Sequence, residues 1–179
     1  MADIDSFATS LFEEAKRFLE KGEGDTDPLP RNAHLHAAMM LAFCSLEAHV
    51  NSIAAEFAQR PEFTVHEKAI LLEKDVRLDD GEFVLRSFRM FRLEDRIQFL
   101  HRKFSGKPFD GEAIWWSRLK DAMLIRNRLT HPKDAHPLTI ENVRDALTAI
   151  IAVLDATYIA IYKKGFPAAN RGLHSQLIF

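Results

Sequence analysis

The residues best suited to chemistry are an arginine and a histidine five positions apart, Arg126 and His131. Asn127 lies four residues before His131, so the two side chains share a face if the segment is helical. An imidazole can accept or donate a proton near neutral pH. This set of side chains therefore fits proton transfer.

The end of the predicted helix determines how these side chains are placed. On an ideal helix Arg126 lies roughly 140° around the axis from His131. Because Pro132 disfavours the α region for the residue before it, we expect His131 to occupy an unwound last turn and to turn toward Arg126. The helix dipole favours a protonated imidazole at this end, whereas Arg126 and Arg128 oppose it, which suits His131 for acid–base catalysis.

This segment resembles the Arg-x(4–6)-His signature of HEPN domains, in which a polar residue commonly follows the arginine, as Asn127 does here. The preceding helix (Leu119-Lys120-Asp121-Ala122-Met123-Leu124-Ile125) and the His131-Pro132 exit fit the same pattern. The segment Leu46-Glu47-Ala48-His49-Val50-Asn51 is similar to the first core helix of many members. The resemblance covers about residues 30–165 and depends mainly on these two helices.

The resemblance implies metal-independent RNA cleavage that leaves 2′,3′-cyclic phosphate ends. A homodimer would bring two copies of His131 and two of Arg126 together; His131 would act as general acid or base, Arg126 would hold the phosphate, and Asn127 would orient one of them. Such a protein would be a toxin, with an antitoxin or nucleotidyltransferase-like partner, or an RNA-targeting defence protein. Two alternatives stay open: a non-catalytic module that binds a nucleotide or protein, and a purely structural bundle in which the two cations finish a helix.

Two residues of the second predicted helix are expected to support the site. Glu47 and Asn51 are one turn apart, and we expect Glu47 to face Arg126, either to orient it or as an ordinary salt bridge. The segment 77–133 is basic, with 13 Lys and Arg against 8 Asp and Glu, although the whole chain has a net charge of −2. Three of its cations are the expected RNA-binding residues: Arg118, Arg128 and Lys133.

Apolar residues at three- and four-residue steps predict an all-α antiparallel bundle of about five to six helices. The predicted helices cover about 5–21, 32–60, 65–74, 91–104, 111–130 and 139–164. Asp80-Gly81 between two short apolar runs predicts a small β-hairpin near residues 76–85. Asn32 and Thr139 are the expected N-caps, and Gly22, Gly24 and Gly165 the expected helix stops. Residues 1–165 then form one domain, and 166–179 an irregular tail, which we expect to be frayed unless its apolar end docks on the core or on a partner.

Composition and spacing argue against several other classes of protein. A lone cysteine, Cys44, excludes an internal disulfide and a zinc set, and its apolar neighbours predict a core position. The chain contains no Gly-rich phosphate loop, and its carboxylates do not form the Glu-x-x-His pairs of di-iron bundles, so we expect no metal and no cofactor. An acidic N-terminus, and a longest apolar stretch (146–161) too short for a bilayer, predict a cytoplasmic protein that makes no contact with a membrane.

Overall fold

The computed structural model describes residues 4–134 and 137–179, and in them the chain forms six α-helices, one β-hairpin and a short 3₁₀ turn. In chain order the elements are α1 (Ile4–Gly24), α2 (Pro28–Ala58), α3 (Val65–Leu72), β1 (Lys74–Asp79), β2 (Glu82–Phe88), α4 (Leu93–Ser105), α5 (Ile114–Thr130), α6 (Ile140–Tyr162) and the 3₁₀ turn Ala169–Arg171. The prediction of a helical bundle with a hairpin insertion is confirmed.

Helices α2 and α6 supply most of the core. Phe43 and Leu46 of α2 and Ile150 of α6 are at most 1% exposed. Helix α1 packs along α2, where the hydroxyl of Ser45 donates a 2.7 Å hydrogen bond to the carbonyl of Ala8. Burial of these apolar faces is the main stabilising term of the bundle.

Helices α2 and α6 are also long and apolar enough, by length and composition, to cross a membrane. The expectation that the apolar stretch of α6 is too short is therefore wrong on length, since the helix runs for 23 residues. Within the fold, 61% of the apolar window of α2 and 44% of that of α6 are buried. Core helices of a folded bundle meet the same criterion, so this is weak evidence for a span.

Helix α2 begins four residues earlier than the sequence suggests. Its N-cap is Asp27 and not Asn32, because the Asp27 carboxylate accepts a 3.0 Å hydrogen bond from the backbone N–H of Leu29. Pro28 takes the first helical position, where its missing N–H removes no helical hydrogen bond. The Pro-rich connector is thus the first turn of the helix.

Helix α1 continues through Gly22 and ends only at Gly24. A Cβ added at Gly22 would lie 2.9 Å from Leu35 Cδ2 on α2, which is closer than side chains pack. Gly22 therefore allows α1 and α2 to approach each other, and its expected role as a helix stop is wrong.

The hairpin forms at Asp80-Gly81, whose φ angles of 48° and 87° belong to a type I′ turn. Asp79 pairs with Glu82, and the register continues through Arg77–Val84 to a bulge in β2 before Phe88. On one face the Phe83 ring lies 5.2 Å from that of His66 on α3. The strands are longer than the predicted 76–85 but centred on the same turn.

The segment after α6 is attached to the bundle. Thr139 caps α6 as predicted, whereas Lys163, with φ 58°, ends it in place of Gly165. Gln176 donates its backbone N–H to the Glu13 carboxylate at 2.7 Å, and Ser175 donates its hydroxyl to the Glu13 carbonyl at 2.8 Å. The tail is irregular, but the expectation that it is frayed is wrong.

Candidate functional site

Helix α5 ends at Thr130, as the following proline predicts. His131 leaves the helical region with φ −130° and ψ 63°, while its backbone N–H still donates to the Asn127 carbonyl at 2.9 Å. Its side chain is exposed. The prediction that His131 occupies an unwound last turn is confirmed.

Arg126 crosses from α5 to α2 and forms an ion pair with Glu47. A second N–H donates to Asn127 Oδ1 at 3.2 Å, and the guanidinium carbon lies 5.2 Å from the centre of the Phe43 ring. The predicted contact between Glu47 and Arg126 is confirmed. Two of the Arg126 nitrogens are thereby fixed, and the plane of the guanidinium is set by α2.

Asn51 lies one turn further along α2 but does not bind Arg126. Its Oδ1 accepts a 2.8 Å hydrogen bond from Arg96 of α4. Arg96 is 5% exposed; it also forms a 3.2 Å ion pair with Glu73 and donates to the Leu71 carbonyl at 2.9 Å. Burial lowers the pKa of Arg96, and the neighbouring carboxylates of Glu73 and Glu47 oppose this shift.

These side chains line one cleft of about 390 Å³. The cleft is bordered by the predicted residues Arg126, Asn127, Glu47 and Asn51, together with Arg96 and Glu73. Met90 and Arg92, in the segment after the hairpin, form its remaining wall. Sequence reasoning missed Arg96 and Glu73. Both come from elements distant in the chain, and no local spacing links them to the motif.

His131 borders a different cleft, of about 600 Å³. Its other lining residues are Leu124, Asn127, Arg128, Lys133 and Asp134. Arg128 and Lys133 are therefore beside His131, as expected for phosphate-binding cations. The carboxylate of Asp134 partly offsets their charge.

The structure does not bring His131 and Arg126 together within the single chain, because the two side chains line different clefts. Helical geometry places them on different sides of α5, and Glu47 draws Arg126 toward α2. Asn127 alone of the motif borders both clefts.

Arg118 does not lie where we expected it, and His36 lines a further cleft. Arg118 is exposed on α5 but borders neither cleft, and its ten-residue separation from Arg128 corresponds to roughly 15 Å along the axis. His36 of α2 lines a third cleft of about 460 Å³ with Arg128 and Asp134.

Cys44 is exposed on α2 rather than buried in the core. Partial burial and the Glu47 carboxylate raise the pKa of its thiol, so the thiol stays protonated at neutral pH and is a poor nucleophile. Over the part of the chain that the structure describes, no group of three or more His, Cys, Asp or Glu is placed to hold a metal ion.

Comparison of the chain with known protein families, with curated proteins and with solved structures finds no match. The resemblance to HEPN domains therefore depends on the motif and on its position at the end of a bundle helix. Residue geometry has to carry the functional proposal.

Proposed function

We propose that the protein is a metal-independent endoribonuclease of the HEPN type that acts as a homodimer. The observation that carries this proposal is His131, exposed at the end of α5 in a cleft that also contains Arg128 and Lys133. An accessible imidazole beside two cations supplies one proton-transfer group and the positive charge that phosphodiester cleavage without metal requires.

The proposed reaction uses the 2′-hydroxyl of RNA as nucleophile. One imidazole accepts the 2′-proton while the 2′-oxygen bonds to phosphorus, and a protonated imidazole gives its proton to the departing 5′-oxygen. The products are a 2′,3′-cyclic phosphate and a free 5′-hydroxyl. Arg126 and Arg128 neutralise the charge that builds on the phosphate, and DNA, which has no 2′-hydroxyl, is not cut.

A dimer would bring together the parts of the motif that lie in two clefts of the single chain. One chain offers a single motif histidine, and Arg126 lies on the far side of Asn127 from it. A two-fold axis near the ends of α5 would add a second His131 and a second Arg126 to one self-complementary site.

Purified protein, mixed RNA and EDTA test this proposal. Cleavage that persists in EDTA, leaves 2′,3′-cyclic ends and is lost in His131→Ala is the expected result. His174→Ala is the matched control, because His174 is 96% exposed in the tail. Unchanged cleavage in His131→Ala, or cleavage abolished by EDTA, overturns the assignment.

One observation favours a second candidate, a HEPN-type module that binds a nucleotide or a partner protein, such as an antitoxin or nucleotidyltransferase-like protein, without cutting RNA. Two nitrogens of Arg126 are already engaged, by Glu47 and by Asn127, and these bonds compete with a phosphate. RNA that binds the wild-type chain with no cleavage in any condition supports this candidate over the nuclease.

A further inference from the structure

The hairpin leaves the outer edge of β2 unpaired. Two strands make up the sheet in the described chain, so β2 has β1 on one side only. A two-residue turn makes Asp79–Glu82 a hydrogen-bonded pair, and the alternation of antiparallel ladders makes Arg77–Val84 the next one. The N–H and C=O groups of Phe83 and Leu85 therefore point away from β1.

In the described chain, these backbone N–H and C=O groups have no backbone hydrogen-bond partner in place of a neighbouring strand. Within residues 4–134 and 137–179, no backbone hydrogen bond links Phe83 or Leu85 to a residue outside the hairpin. Phe83 is also 56% exposed. An unpaired strand edge of this kind is a template for pairing with another strand.

We propose that a second copy of this chain pairs with β2 in antiparallel fashion across a two-fold axis at Val84. This register places Val84 opposite Val84 of the second copy, Phe83 opposite Leu85, and Glu82 opposite Arg86. Phe83 and Leu85 are the two residues with outward backbone groups, so they form hydrogen-bonded pairs with each other across the axis. The pairing uses the hairpin and does not depend on the proposed nuclease activity.

The charges along the hairpin favour a second copy of the chain as the pairing partner, and they favour a two-fold axis at Val84. The turn end of the hairpin is acidic, through Asp79, Asp80 and Glu82. Its other end is basic on balance, with Lys74, Arg86 and Arg89 against Asp75, which forms an ion pair with Arg89. Antiparallel self-pairing lays the acidic end of one copy beside the basic end of the other. A two-fold axis at Phe83 or at Leu85 would instead set Glu82 opposite Val84 or Phe88 and leave both charges unmatched.

The carboxylate of Glu82 is available for this contact. Glu82 is exposed and forms no ion pair within the described ranges, and it lies directly opposite Asp79, a like charge that destabilises the free hairpin. Arg86, which pairs with Asp79 in its own chain, would then bind carboxylates on both sides. The bulge lies between Leu85 and Phe88, so regular backbone pairing across the axis is limited to residues 83–85, with Glu82 and Arg86 flanking it.

Disulfide trapping tests the register directly. In a Cys44→Ser background, Val84→Cys places two thiols at a non-hydrogen-bonded position, where Cα atoms lie roughly 4.5 Å apart, within disulfide reach. Ser87→Cys is the matched control, because it keeps both charges and its self-distance in this register is roughly 20 Å. We expect mild oxidation to link Val84→Cys chains and not Ser87→Cys chains. Absence of a link at Val84, or a stronger link at Ser87, overturns the proposal.

A charge exchange tests the two ion pairs in the same Val84→Cys background. Glu82→Arg alone and Arg86→Glu alone each set like charges opposite each other in the homodimer, and we expect the cross-linking yield at limiting concentration to fall roughly tenfold or more. An equimolar mixture restores attraction at both contacts and should recover the yield as mixed dimers. Single variants that cross-link like the parent, or a mixture that stays low while each chain is folded by circular dichroism, contradict the proposed pairing.

Discussion

The ion pair between Arg126 and Glu47 lies partly in solvent, with side-chain exposures of 22% and 46%. Pairs of this kind contribute about 0–1 kcal/mol to stability. We expect Glu47→Gln to lower the free energy of unfolding by less than about 1 kcal/mol but to reduce RNA cleavage about tenfold, because the guanidinium loses the carboxylate that fixes its direction. Urea unfolding and cleavage rates on one preparation measure the two effects.

The control for that variant is Glu56→Gln on the same helix. Glu56 forms a comparable exposed ion pair with Arg60, at 2.9 Å, far from the motif. It should leave cleavage unchanged. Equal losses of cleavage in the two variants would show that Glu47 acts through general stability and not by orienting Arg126.

His49 is buried, at 1% exposure, with Nδ1 3.3 Å from Asp5 and with Nε2 lacking a hydrogen-bond partner in the described structure. Burial lowers the pKa of His49 below its usual value, although Asp5 opposes the shift. As the pH falls below about 6.5, His49 is therefore protonated in the unfolded chain before it is protonated in the folded protein. The free energy of unfolding decreases until the pH reaches the lower pKa of the folded state.

Replacing His49 with a ring that does not titrate should remove this pH dependence. We expect the unfolding free energy of the wild type to fall, relative to His49→Phe, by up to about 1.4 kcal/mol per pH unit below pH 6.5. Urea unfolding at pH 7.5, 6.5 and 5.5 gives the comparison. Parallel curves for the two proteins would refute a role for this imidazole.

Residue-scale contacts were predictable from sequence only where periodicity fixes a face. Glu47 follows the apolar stripe of α2, and this was enough to place it against Arg126. Arg96 and Glu73 belong to elements whose mutual packing depends on the hairpin between them, so the sequence alone did not bring them to the cleft. The five-residue spacing also did not reveal that Arg126 would pair with Glu47 and line a different cleft from His131.

Among the elements, the contact between α1 and α2 depends on a missing side chain at Gly22. A Cβ there would meet Leu35, which is 1% exposed and cannot move freely. We expect Gly22→Ala to destabilise the protein by about 1–3 kcal/mol through overpacking, despite the better helix propensity of alanine. Gly24→Ala, with nothing within 4 Å of the added Cβ, should be neutral or slightly stabilising. Equal effects of the two substitutions, measured by thermal unfolding, would disprove the steric role of Gly22.

The same region shows why element ends are harder to predict than the elements themselves. Apolar periodicity predicted every helix, and the Asp80-Gly81 turn predicted the hairpin. The ends depend on which of several possible capping residues is used. Asp27, and not Asn32, is the N-cap of α2 because Pro28 is suited to the first helical turn. Gly22 was misjudged because the sequence does not show what packs against it.

On the scale of the whole molecule, Arg126 and His131 line two different clefts, so the proposed nuclease needs a second chain to bring both groups to one site. If two chains share one site with two imidazoles, a dimer with one His131→Ala chain lacks one of its two proton-transfer groups. Adding His131→Ala chains to a fixed amount of wild type should then lower cleavage, because wild-type chains are drawn into mixed dimers. Separate sites would leave the activity of the wild-type chains unaffected.

Random exchange of chains makes this prediction quantitative. With equal amounts of the two chains, activity per wild-type chain should fall to roughly half, and with a ninefold excess of the variant to roughly a tenth. The experiment requires incubation long enough for exchange, and His174→Ala chains, which keep the motif, serve as the diluent control. Cleavage that stays constant across the titration, while exchange is demonstrated by mass-labelled chains, would show that each chain cuts alone and that no composite site exists.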